Sequence, residues 1–295
     1  MRINNDLFTE VARNGIPKMN PLSYDYQAWW REQKDRCVNG YSAGGKWMPG
    51  KLYFFINFWH IELNIGKGKR KQMGSPLLRD LEWNFFEKFE DSRGFSGLKD
   101  GVPQYDNESC GVMLIGGRGL GKSYWASCIL GHEYTFYKNN ELVLSAHESK
   151  YSLPLADKVK FGLDNIPGDI EYIGEMYASP FKHRRIKDYW QREIRSGYVR
   201  KMNGISQVGG FNSRIIHRLF KDNALAANGT RPSVHVMEEV GRFENLIDSY
   251  NSSWECWMNG AYQFGTPFLL GTGGDMDGGS IDAQKMFYDP ATYNL

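Results

Sequence analysis

The chain has 295 residues and a net charge of +2; 41% of its residues are hydrophobic, 24% charged and 15% aromatic. That length suits one large domain or two small ones, and the composition excludes disordered, collagen-like and low-complexity classes. Bulk charge does not announce a nucleic-acid binder, so any basic surface must be a local patch.

In chain order, residues 1–50 are polar and turn-rich, with an aromatic cluster at Tyr24, Tyr26, Trp29 and Trp30. Residues 53–63 are aromatic and β-branched enough to predict a strand or two. The longest apolar stretch, residues 52–65, is interrupted by Asn57, His60, Glu62 and Asn64 and is too short to span a bilayer. The N-terminus lacks a signal-peptide apolar run. A basic, glycine-bearing segment at 66–71 predicts a loop, and Pro76 predicts a helix through Phe89. From there the pattern turns α/β. Strands are expected at 111–115, 141–146, 233–237 and 267–270, with helices at 122–137 and 245–262. This alternation implies a mostly parallel sheet flanked by helices.

The strongest motif is Gly116-Gly117-Arg118-Gly119-Leu120-Gly121-Lys122-Ser123, which fits G-x-x-x-x-G-K-[ST]. Glycines let successive backbone N–H groups turn inward around a phosphate, where a Cβ would collide. Lys122 supplies charge to the β- and γ-phosphates of ATP, and Ser123 offers a hydroxyl to Mg²⁺. The helix start adds its dipole, and Tyr124 completes the nucleotide-binding set. The motif follows an apolar strand and opens a helix, as its mechanism requires.

Such a site needs a carboxylate at the end of a neighbouring strand and a group to activate water. Val234-His235-Val236-Met237-Glu238-Glu239 has that form. It predicts Glu238 toward Mg²⁺, where Asp is the usual residue, and Glu239 as the base. The competing pair Glu90-Asp91 closes a helix instead of following a strand. A third element, Gly271-Thr272-Gly273-Gly274-Asp275, follows the next strand, and Thr272 is expected beside the γ-phosphate. The cysteines, Cys37, Cys110, Cys128 and Cys256, form no CxxC pair, which argues against a disulfide framework or a zinc site. No histidine has ligand spacing, and His235 reads as a satisfied strand residue.

With these motifs in order, the sequence resembles the ATPase domain of the large terminase subunit of tailed bacteriophages, most nearly that of crAss-like phages. Met237-Glu238-Glu239-Val240-Gly241-Arg242-Phe243 is similar to their Walker B segment. Residues 271–279 with Met286-Phe287-Tyr288-Asp289-Pro290 are similar to their coupling motif, and Gly229-Thr230-Arg231-Pro232 also fits. The resemblance covers residues 40–295. It implies an additional-strand P-loop ATPase at 75–295 behind an N-terminal extension at 1–74. It further implies an ATP-driven motor for double-stranded DNA, working as a pentameric ring with the portal protein and the small terminase subunit in the host cytoplasm, with no membrane partner.

The resemblance also places Arg118 near the γ-phosphate and expects a finger from a neighbouring subunit, with Arg231 first and Arg218 second. Pro76-Leu77-Leu78-Arg79-Asp80 lacks the family's adenine-contacting glutamine, which leaves Arg79 as the adenine candidate. The nuclease domain usual in the family is expected to be absent from this chain. Residues 182–201 hold eight basic side chains with Tyr189, Trp190 and Tyr198 interleaved. They read either as a phosphate-holding stripe or as a solvated helix face or subunit interface. Two other readings remain: a helicase-like or recombination ATPase, and a nucleotide-binding switch or ring component that hydrolyses ATP poorly.

Overall fold

Ser23 opens the first long helix, α1 (Tyr24–Asn39), its hydroxyl accepting the Tyr26 backbone N–H at 3.1 Å. The computed structural model describes residues 5–65, 70–106, 108–189, 191–272 and 281–295; Lys67, Lys69, Trp190 and the segment 273–279 lie outside these. A second helix, α2 (Gly50–Asn57), takes up the start of the run for which the sequence predicts strands. Every residue of α2 is buried. A short helix that is buried on all sides cannot be told from a buried strand by periodicity. Only the tail of the run is strand: β1 (Ile61–Ile65) pairs antiparallel with β2 (Arg70–Gly74). The predicted loop at 66–71 therefore ends in strand at Arg70.

Helix α3 (Asp80–Ser92) begins at Asp80 instead of Pro76, with Asp80 and Glu82 at its positive end. Then come β3 (Val112–Ile115), α4 (Lys122–Phe136), β4 (Glu141–Ala146) and α5 (Ser149–Asp164). The basic stretch forms strands, not a helix face: β5 (Arg185–Tyr189), β6 (Glu193–Ser196) and β7 (Tyr198–Met202), the last paired with β8 (Ile205–Gly209). The chain closes with β9 (Arg214–Leu219), β10 (Val234–Glu238), α6 (Leu246–Trp257), β11 (Thr266–Gly271) and α7 (Ile281–Tyr288). Helix α6 stops short of Tyr262 because Met258 and Asn259 pair back with Gln263 and Tyr262 around Gly260, whose φ is +63°. The Asn-Gly dipeptide was the turn signal for that stop.

Seven strands form one sheet in the order β5-β6-β9-β4-β10-β11-β3. The five from β9 to β3 are parallel, and β5 and β6 join antiparallel at one edge. β11 is inserted between the loop-bearing β3 and the acid-bearing β10, which is the additional-strand arrangement of P-loop ATPases. Parallel strands with both faces covered read as continuous apolar runs, and β10 is buried along its whole length.

Residues of α2, α4 and α5 share one core with Leu142, Val234 and Val236. Residues of α6 and α7 cover the other face, against Met237 and Leu269. The N-terminal Phe8, Trp30 and Phe54 belong to the first of these cores. Trp59 wedges between α4 and α5, where a Cβ at Gly131 or Gly162 would lie 2.2 or 2.1 Å from its ring. Among the described residues, no helix is long and apolar enough to cross a membrane.

Candidate nucleotide site

Because β3, β11, β10 and β4 are parallel, their carboxyl ends gather at one edge of the sheet. The loop after β3 rises there and turns into α4. Gly119 and Gly121 adopt φ of +82° and +101°, conformations that L-residues resist. Lys122 Nζ donates back to the Gly116 and Gly117 carbonyls at 2.6 and 3.0 Å, so its ammonium lies over the loop. Tyr124 Oη donates to the Glu62 carbonyl at 3.2 Å and ties the loop helix to β1. Arg118 lies exposed at the rim.

The two acids arrive on β10. Glu238 is 7% exposed, and one carboxylate oxygen accepts the Ser123 hydroxyl at 3.1 Å. Its other oxygen is buried with no hydrogen-bond partner among the described residues. Burial and the neighbouring Glu239 push its pKa up to about 7, against the opposing pull of Ser123, Lys158 and Lys122. Glu239 stands in the left-handed region with φ 52°, a strain of about 1–3 kcal/mol for a residue of this kind. Thr272 Oγ1 donates to its carboxylate, 3.3 Å from each oxygen.

These groups surround a cavity of about 340 Å³. The structure thus brings Arg118, Gly119, Leu120, Gly121, Lys122, Ser123, Tyr124, Glu238, Glu239 and Thr272 to one cleft. Gly116 and Gly117 are not among the lining residues; their carbonyls hold the Lys122 ammonium. A phosphate chain fits a glycine loop with a lysine over it, and a divalent cation fits the pairing of a hydroxyl with an unsatisfied carboxylate oxygen.

Other candidates fall elsewhere. Arg231 donates to Met258 O at 2.8 Å and its backbone N–H to Glu141 at 2.7 Å, at the amino ends of the strands. Arg218 donates to its neighbour His217 O on β9 and does not line the cleft. Arg79 is engaged by Glu82 one turn along the same helix. Glu90 is buried inside α3, paired with Lys51. His235 Nε2 meets Ser145 Oγ at 2.8 Å, but its Nδ1 is buried without a partner among the described residues, and burial takes its pKa down to about 3.

The basic stretch is compensated in part: Lys182 pairs with Asp169, Arg185 with Asp164, and Lys187 with Glu193, while Arg195 binds the neutral amide of Asn212. Sequence reasoning missed Lys158. It comes from α5, next to the buried Val159 and about a turn from the buried Leu155, and lines the cleft beside Glu238. Nothing in its local sequence separates it from Lys160, which pairs with Asp164 at the surface.

No protein-family model matches this chain, and no curated protein matches it. It is similar to a mutant of the ATPase domain of the large terminase of Thermus phage P74-26, at 10% identity and TM-score 0.38, covering 54% of this chain and 58% of that one. It is also similar to the large terminase of bacteriophage HK97, at 12% identity and TM-score 0.43, covering 75% of this chain and 36% of that one. The chain spans less than two thirds of the length of either structure.

Proposed function

We propose that this chain is an ATP-hydrolysing motor of the large-terminase kind, which drives double-stranded DNA into a procapsid. The observation that carries the reading is the meeting of three distant segments. Ser123 of the loop holds Glu238, Thr272 holds Glu239, and both carboxylates face Lys122 across one cleft.

In this reading the loop and Lys122 bind the β- and γ-phosphates, and Arg118 approaches the γ-phosphate from the rim. Ser123 and Glu238 would hold Mg²⁺, which when bound neutralises charge developing on the phosphate oxygens. Glu239 orients the attacking water and takes its proton. Thr272 fixes the Glu239 carboxylate and passes its state to the segment that follows. Residues 75–295 are the ATPase domain and 1–74 an extension packed on it. The working assembly is a homo-oligomeric ring on the portal, with the small subunit as partner and a neighbour's arginine completing the site. Arg231, exposed at the amino ends of the strands and bonded there to the Met258 carbonyl, is the first candidate for that arginine and Arg218 the second.

Steady-state ATP turnover, with and without linear duplex DNA, tests this in wild type and Glu239→Gln. The expected result is turnover stimulated by duplex DNA and lost in the variant. Equal turnover in both proteins overturns the base assignment. Strand separation without duplex-stimulated turnover would favour the helicase-like reading.

A further inference from the structure

The cleft holds one cation that comes from neither the loop nor the acid-bearing strand. Lys158 Nζ lies 5.3 Å from the centroid of the Tyr124 ring, and no carboxylate among the described residues pairs with it. Tyr124 and Lys158 also line a second cavity of about 400 Å³, shared with Glu62, Lys71, Asp157 and Phe161, so the lysine stands between the two chambers. Most other partly buried cations of this protein have an acid: Lys51, Arg36, Lys160 and Arg185 are all ion-paired. Glu238, Glu62 and Asp157 act on Lys158 only from beyond ion-pair contact, and burial outweighs them, so an anion arriving in the cleft has a cation to meet.

We propose that Lys158 is a second phosphate-contacting lysine of the site, supplied by α5 instead of by the loop, and that it favours triphosphate over diphosphate. This rests on the ATPase reading given above. Three cations, Arg118, Lys122 and Lys158, line the cleft against two carboxylates, Glu238 and Glu239. A magnesium–nucleoside triphosphate brings roughly two net negative charges and the diphosphate roughly one. The excess cation is therefore worth more to the triphosphate, and its distance from bulk water limits screening. The Tyr124 ring faces the Lys158 ammonium, and both side chains line the cleft.

The test is displacement of a fluorescent nucleotide by Mg·ATP and by Mg·ADP from the full chain, in wild type, Lys158→Met, Lys158→Gln and Lys158→Arg. Methionine keeps an unbranched side chain of similar length and removes the charge; glutamine is the second neutral variant if methionine fails to fold. The expected result is an affinity for Mg·ATP reduced about tenfold or more in the neutral variants, as for loss of a hydrogen bond to a charged group. The loss for Mg·ADP should be smaller, and Lys158→Arg should recover most of both. Neutral variants that bind both nucleotides like wild type overturn the proposal. So does an equal loss for ATP and ADP that arginine does not recover, since that is the mark of a packing role. A wild-type chain that binds neither nucleotide sinks the ATPase reading itself.

Discussion

Two regions of this protein bury glutamates, and they treat them in opposite ways. Beneath the N-terminal helices, Lys51 lies 2.8 Å from Glu90 and 3.3 Å from Glu133, Arg93 lies 3.5 Å from Glu133, and the Tyr105 hydroxyl donates to Glu90 at 2.6 Å. Two cations meet two carboxylates, with Lys51, Glu90 and Glu133 each no more than 3% exposed. Burial alone would raise the Glu133 pKa, yet Arg93 and Lys51 hold it down at about 2. Glu133 Oε1 lacks a hydrogen bond but is ion-paired to both cations, whereas in the cleft Glu238, 7% exposed, keeps an oxygen with neither among the described residues, and its pKa moves the other way. The first cluster is charge-balanced within the chain and serves as architecture. The second is incomplete, and an incomplete buried charge set is what a ligand can complete.

The same substitution should therefore have opposite signs in the two places. Glu133→Gln leaves Lys51 and Arg93 sharing Glu90, and it should cost about 3–5 kcal/mol in chemical denaturation at neutral pH, the range for breaking a buried pair. The folded pKa of Glu133 lies below its unfolded value, so its contribution is present above about pH 4.5 and is lost as pH falls toward about 2. Denaturation of wild type and variant across that window should show the difference between them shrinking as pH falls.

Glu238→Gln should stabilise the unliganded chain by about 1–3 kcal/mol at pH 8, because it removes a charge that burial disfavours. The folded pKa of about 7 exceeds the unfolded value, so the ionised carboxylate costs stability increasingly as pH rises from about 4.5 to 7. Thermal unfolding should show the gain at pH 8 and none below pH 4.5, while ATP turnover is lost. A destabilised variant at pH 8 would mean that the cleft is already compensated and that the contrast with the Lys51 cluster is false.

The smallest effect is expected at the cleft's edge. Thr272→Val removes two long hydrogen bonds to Glu239 and should change stability by only about 0.5–1.5 kcal/mol. Turnover should fall more than nucleotide affinity, because the positioning of Glu239 matters to the water and not to the phosphates. A matching drop in nucleotide affinity would place Thr272 against the nucleotide instead.

Much of the sheet was legible because buried parallel strands announce themselves locally. β4 forms where its apolar run predicts, and β3, β10 and β11 lie within a residue or so of theirs. The Tyr53 region reads either way because the apolar run from Leu52 to Ile56 fits a strand or a core helix, and only its neighbours choose. The basic stretch was open to reading as a helix face because periodicity is silent where charges dominate. Its compensation by Asp164 and Asp169 could not be seen from spacing, since those acids lie on α5 and in the turn after it.

What the sequence by itself determined is the phosphate loop and the two acids after β10. Their chemistry depends on residues adjacent in the chain, on glycine φ angles and on a helix beginning at Lys122, all local properties. Tertiary structure alone decided that Glu238 meets Ser123, that Thr272 meets Glu239, and that Lys51 is buried among acids while Lys158 is left without one. Those outcomes turn on which helix faces and strand ends the packing brings within about 3 Å, the range over which a hydrogen bond or an ion pair forms.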